Sequence, residues 1–199
     1  MKQILLLFSF AVCAFACQNT ATTDTETPAE TEEPAEAMQT AAPKAEMPEL
    51  KVTYLETAVG KVPVYNTFEG VEPYFKKNND TTYVVNFWAT WCKPCVEELP
   101  YFEKIQSAYA GQKVQVVLVS MDFERQLEKK LKPFLEEYKL KSAVAVLTDN
   151  KYNNWIDKVD PSWGGAIPVT MIYNSQDRKF FGDQFSDFEE LEGALKMFL

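Results

Sequence analysis

Histidine is absent from all 199 residues of this chain. Without imidazole there is no Ser–His or Cys–His pair, no catalytic triad of the usual kind, and none of the common histidine-built zinc centres. Cysteine is scarce: Cys13, Cys17, Cys92 and Cys95 are all there is. Positive charge is also in deficit. The net charge is −9, and no basic patch points to a nucleic-acid partner. The N-terminal apolar run, Ile4 to Val12, is about nine residues, too short to span a bilayer as a mature helix.

That run has the length of a secretory signal core, and Lys2 supplies a minimal positive region ahead of it. The stretch "AFAC" then sets small Ala14 and Ala16 before Cys17. It resembles the lipobox of bacterial lipoproteins, which implies cleavage after residue 16 and lipidation of Cys17. Cys13 fits less well, because Val12 before it is larger than such cleavage usually accepts. An ordinary signal with Ala-x-Ala cleavage and an unmodified cysteine is the alternative. Residues 17–49 read as the anchor and a linker rich in Thr, Glu, Ala and Pro, with almost nothing to bury. Positions 18–49 carry eight acids and one lysine, or −7; with Lys2 also set aside, −3 remains on residues 50–199. The expected organisation is a signal peptide over 1–16, a lipidated tether over 17–49 and one compact domain over 50–199. Such a chain works in the bacterial envelope, held off a membrane by a solvated arm.

Within the domain, "TTYVVNFWA" (81–89) and "KVQVVLVSM" (113–121) are near-continuous β-formers, as in parallel strands buried on both faces. Residues 93–110 read as a helix containing Phe102 and Ile105 and closed by Gly111. Further helices are expected at 124–139 and 150–158, and a strand at 143–148. A hairpin over 167–174 and 178–184 and a last helix over 186–198 complete the reading. Ahead of them, "KVTYLET" and "KVPVYN" suit a small added sheet, and 68–77 a short helix. The fold class is therefore α/β, with strands 81–89 and 113–120 parallel and adjacent or nearly so through a right-handed crossover. Cys92 and Cys95 then fall where the first strand passes into its helix, the carboxyl edge at which open α/β sheets carry their chemistry. Pro94 occupies the first helical turn, where its missing N–H costs nothing. The free amides of that turn point at Cys92 and favour thiolate over thiol.

"NFWATWCKPCVEELP" and "WGGAIPVTMIY" together resemble the thioredoxin superfamily and, within it, the TlpA/ResA-like envelope thiol-disulfide oxidoreductases. The resemblance covers about residues 50–199. It implies a thioredoxin-like central mixed sheet flanked by helices, with an N-terminal added strand region. It implies a redox-active Cys92–Cys95 disulfide, with Cys92 as exposed nucleophile and Cys95 as resolving thiol, and no cofactor. Partners implied are disulfides of envelope proteins, apocytochrome c among them, and a membrane electron donor. Half a zinc site is the competing reading of Cys-x-x-Cys, but the domain has no further cysteine and no histidine to complete one. A purely structural bridge over four residues restrains little of the unfolded chain.

The family's buried aspartate position is held here by Asn86, which cannot titrate. The Cys-x-x-Glu of the envelope branch instead assigns the acid/base role to Glu98, on the same helix face as Cys95, and leaves Glu97 as a solvated acid. Pro100 is expected to kink the helix. Lys93 and Pro94 tune the pair, Pro94 by stiffening the turn. The resemblance makes Pro168 a cis proline against the disulfide, and gives the backbone of Ile167 to substrate pairing. Trp91 is expected to be partly exposed and to frame a groove, Trp88 to lie in the core, and Trp163 to be either loop packing or groove rim. Two other functions compete: a peroxiredoxin-like thiol peroxidase, although Thr90 stands two residues before Cys92 rather than three, and a tethered binding or metal-delivery module.

Overall fold

A computed structural model describes residues 49–199. The leader, Cys17 and the acidic linker up to residue 48 lie outside the described residues. Seven strands form one sheet: β1 (Val52–Thr57), β2 (Gly60–Tyr65), β3 (Thr82–Trp88), β4 (Val114–Ser120), β5 (Ala143–Leu147), β6 (Val169–Tyr173) and β7 (Arg178–Phe181), in the order β1-β2-β5-β4-β3-β6-β7. The helices are α1 (Phe68–Val71), α2 (Lys93–Ala108), α3 (Lys132–Tyr138), α4 (Ile156–Val159) and α5 (Phe188–Lys196).

The two Val-rich runs occupy the centre, as their composition predicts. β3 is buried at every position and pairs in parallel with β4, from Thr82 opposite Val114 to Trp88 opposite Ser120. Because side chains alternate between faces, β3 divides its residues between two cores. Val84 and Trp88 pack with Leu99, Phe102 and Ile105 of α2 and Leu191 and Leu195 of α5. Val85 and Phe87 face Phe68, Trp155 and Trp163. Asn86 belongs by this alternation to the α2 side, in the middle of an otherwise apolar face.

The N-terminal strands depart from expectation: they form no separate sheet. β1 and β2 make an antiparallel hairpin, and β2 runs parallel to β5, so the hairpin extends the main sheet. Burial of Leu55, Val62 and Val64 in the α2-side core holds it there, and its backbone covers what would otherwise be an open edge at β5.

The expected 124–139 helix is broken into a 3₁₀ turn at Glu124–Gln126, a π turn at Leu127–Leu131 and α3. Pro133 brings no N–H to the ladder, and the wider turn lies just ahead of it. The 68–77 and 150–158 segments are likewise a short α turn paired with a 3₁₀ turn. By contrast α2 continues through Pro100, leaving the Val96 carbonyl without its helical partner. Gly111 closes the loop after α2 at φ +81, a left-handed conformation that costs glycine little.

Gly70 is needed for space instead. A Cβ there would sit 2.2 Å from Tyr65 Cδ1 and 2.8 Å from Tyr65 Cβ. Gly70→Ala is expected to destabilise the domain by about 2 kcal/mol through overpacking; urea unfolding checks this, and an unchanged midpoint would refute it.

Candidate active site

β3 ends at Trp88, and after four intervening residues α2 begins at Lys93. Cys92 is the N-cap of α2, with φ −91 and ψ 101, and the Cys95 N–H donates to Cys92 Sγ at 3.3 Å. The two sulfurs are joined, with the Cα atoms 5.3 Å apart. No acidic residue lies in the first turn of α2, so nothing there offsets the pull of its free amides on a Cys92 thiolate. Lys93 is paired with Glu97 instead. Its Nζ lies 3.6 Å from Glu97, and both side chains are solvated.

The expectation of an exposed Cys92 needs correction: it is only 6% exposed, against 0% for Cys95. The sulfur lies under the loop ahead of β6, with the Ile167 carbonyl oxygen 3.7 Å from Sγ. The order of access still favours Cys92. The Ile167–Pro168 peptide is cis, and pairing places this loop: β6 runs antiparallel to β3 with Val169 opposite Phe87, so Pro168 arrives level with Trp88 at the carboxyl end of β3 and Ile167 just beyond it.

Glu98 is 1% exposed. Asn86 Nδ2 donates to its Oε1 at 2.9 Å and the Phe185 N–H to its Oε2 at 3.0 Å. Burial pushes the Glu98 carboxyl up from the usual 4.5 to about 7, and the two N–H donors pull against that rise. Asn86 also donates to the Val169 carbonyl and to Thr170 Oγ1, while its Oδ1 has no partner among the described residues. A side chain that cannot titrate thus ties the Glu98 carboxylate to the start of β6.

Trp91 is 50% exposed and Trp88 fully buried, as expected. Trp163, left open by the sequence, is loop packing. It is buried against Phe87, with ring centroids 4.7 Å apart, and its Nε1 donates to the Ala166 carbonyl.

Sequence reasoning missed Asp122. This fully buried acid accepts from the Thr90 N–H at 3.1 Å, from the Thr90 hydroxyl, and from the Ser120 hydroxyl at 2.8 Å. It fastens the loop after β4 to the loop that carries Cys92. The available signal was the Ser-x-Asp directly after a buried apolar strand.

Known proteins resemble this chain. The chain is 28% identical over 136 residues to the thiol-disulfide oxidoreductase ResA of Bacillus cereus (strain ZK / E33L), covering 67% of this chain and 72% of that one. It is 43% identical over 68 residues to the thioredoxin-like protein YneN of Bacillus subtilis (strain 168), covering 34% of this chain and 38% of that one. The solved thiol:disulfide interchange protein of the thioredoxin family from Chlorobium tepidum TLS superposes with a TM-score of 0.52 at 20% identity, covering 73% of this chain and 92% of that one. The last comparison shows a shared thioredoxin fold. Residues 40–178 match the AhpC/TSA family, and with the match spanning more than half of the sequence, the chain belongs to that family.

Proposed function

We propose that this protein is a thiol-disulfide oxidoreductase that reduces disulfides of envelope proteins, tethered to a membrane through a lipidated Cys17. The observation that carries the reading is the bridged Cys92–Cys95 pair at the N-terminus of α2, one turn before a buried carboxyl with a pKa of about 7. The names of the relatives point the same way, and the "AFAC" stretch supports the tether and an extracytoplasmic site.

In the dithiol state the Cys92 thiolate, held by the Cys95 N–H, attacks one sulfur of a substrate disulfide. That disulfide breaks, a Cys92–substrate disulfide forms, and the other substrate sulfur leaves as a thiolate that takes a proton from water. Cys95 then passes its proton to Glu98 and attacks Cys92 Sγ. The second substrate sulfur leaves, the Cys92–Cys95 bridge closes, and two electrons have passed to the substrate. A carboxyl poised near 7 suits this step, since it is partly ionised at neutral pH and able to receive a proton. A dithiol donor must return the two electrons, and the envelope-branch resemblance assigns that task to a membrane protein.

A peroxidase reading has weaker support, because the Thr90 hydroxyl is already committed to Asp122.

The reduction potential of the soluble domain, equilibrated against defined thiol buffers, tests the direction. A value at or below about −270 mV is expected for a reductase; one near −120 mV, as in a strong envelope oxidant, would reverse the assignment.

A further inference from the structure

Beside Cys92 the surface carries an arrangement that the thiol chemistry does not require. Trp91, 50% exposed, and Phe123, 40% exposed, stack with ring centroids 5.8 Å apart and planes 14° from parallel. They come from different loops, Trp91 from the β3–α2 loop and Phe123 from the segment after β4. Arg125 lies over the Phe123 ring, its guanidinium carbon 5.5 Å from the centroid. Among the described residues no carboxylate lies within ion-pair distance of Arg125.

The shelf is held from beneath. Asp122, adjacent to Phe123, binds Thr90, adjacent to Trp91, through both the backbone N–H and the hydroxyl. The Met121 N–H donates to the Trp88 carbonyl at 2.7 Å, so the two loops are also joined through backbone. Two large aromatics are therefore kept stacked and in water by a buried polar clamp. Exposed aromatic area with an arginine is the composition from which binding hot spots are built, and a clamped surface loses little conformational freedom on binding.

Resting on the oxidoreductase reading above, we infer that the Trp91–Phe123–Arg125 shelf selects the protein substrate. Its occupant is an extended segment of a partner polypeptide carrying a bulky apolar side chain beside its reactive cysteine and a carboxylate farther along. The apolar side chain covers the stacked rings, and the carboxylate meets the unpaired Arg125. Continuity with the reacting sulfur fixes the register: Trp91 directly precedes Cys92, so a cysteine joined to Cys92 brings its neighbours onto these rings.

The test uses the full-length protein in the dithiol state and three synthetic peptides, each with one intramolecular disulfide. The first has Phe beside one cysteine and Asp beyond it, the second has Ser for the Phe, and the third has Lys for the Asp. Hydroxyethyl disulfide, small and uncharged, serves as control, and second-order rate constants are read by mass spectrometry of quenched samples. Wild type is expected to prefer the first peptide over the second by about tenfold. Phe123→Ser is expected to abolish that preference while leaving the hydroxyethyl disulfide rate unchanged. Arg125→Glu is expected to reverse the Asp-over-Lys preference. Both positions are exposed, so the variants keep the core intact. Equal rates for the three peptides, or Phe123→Ser retaining wild-type discrimination, would overturn the proposal. Failure of the wild-type dithiol to reduce hydroxyethyl disulfide would remove the oxidoreductase reading itself, and the shelf's role with it.

Discussion

Cys95→Ser is expected to arrest the protein as a covalent adduct of Cys92 with its substrate, and Cys92→Ser is expected to form no adduct at all. The asymmetry follows from burial and capping. Cys92 is the sulfur that receives the Cys95 N–H and retains some exposure, while Cys95 has none. In the proposed mechanism Cys92 meets the partner disulfide, and a thiolate at position 95 displaces that partner. A serine hydroxyl at 95 is too weak an acid and too poor a nucleophile toward sulfur to do so. Multiple-turnover reduction is expected to fall by about 10³-fold or more in either variant, since the two sulfurs act as a unit and their losses do not add. Non-reducing electrophoresis and mass spectrometry after exposure to an oxidised substrate check the outcome. Equal trapping by the two variants, or trapping through Cys95 alone, would reverse the assignment of nucleophile and resolving thiol.

Glu98→Gln is expected to slow resolution of the mixed disulfide by about 10²-fold, at the lower end of the range for losing a positioned general base. Resolution in the wild type should quicken as pH rises through about 7, where Glu98 ionises. In the glutamine variant that inflection disappears. The same group imprints pH on stability, with a definite sign. Its folded-state pKa of about 7 lies above the usual 4.5, so between those values the native state binds more protons than the unfolded state. Stability therefore falls as pH rises across that window, by up to roughly 3 kcal/mol once Glu98 is fully ionised. Glutamine cannot incur that loss. It does leave one of the two donors, Asn86 Nδ2 or the Phe185 N–H, facing an amide; the unpartnered Asn86 Oδ1 can accept from the new NH₂ if the Asn86 amide turns over. The stability difference between variant and wild type should thus shift toward the variant from pH 5 to pH 8. Urea unfolding of the oxidised proteins at both pH values measures it, and a pH-independent difference would show that Glu98 is not held protonated by its burial.

Much of this site could be read from the linear chain. Two β-branched runs gave two buried parallel strands, and Pro94 in a first helical turn gave the start of a helix right after Cys92. The spacing of Cys95 and Glu98 put both on one helix face, where the structure finds them buried. These are local properties, set by side-chain period and by the missing N–H of Pro94, and they act over a few residues. Break points inside helices were less legible. The π turn before Pro133 depends on where Leu127 and Leu131 find the core as well as on the proline.

What the sequence alone determined, then, is which chemistry is present: two thiols in the domain, a carboxyl (Glu98) on the helix face of Cys95, no imidazole, and a domain of strands and helices that sets the pair at a sheet edge. What only the tertiary structure decided is how those groups are tuned and who can reach them. The Glu98 pKa depends on burial together with an N–H from Phe185, 87 residues away. The cover over Cys92 depends on the Ile167 carbonyl, 75 residues away. Asp122, 32 residues from Thr90, joins two loops into one surface. Contacts at such separations are formed by strand order and register, which arise from packing the whole chain at once, and no short window of residues specifies them.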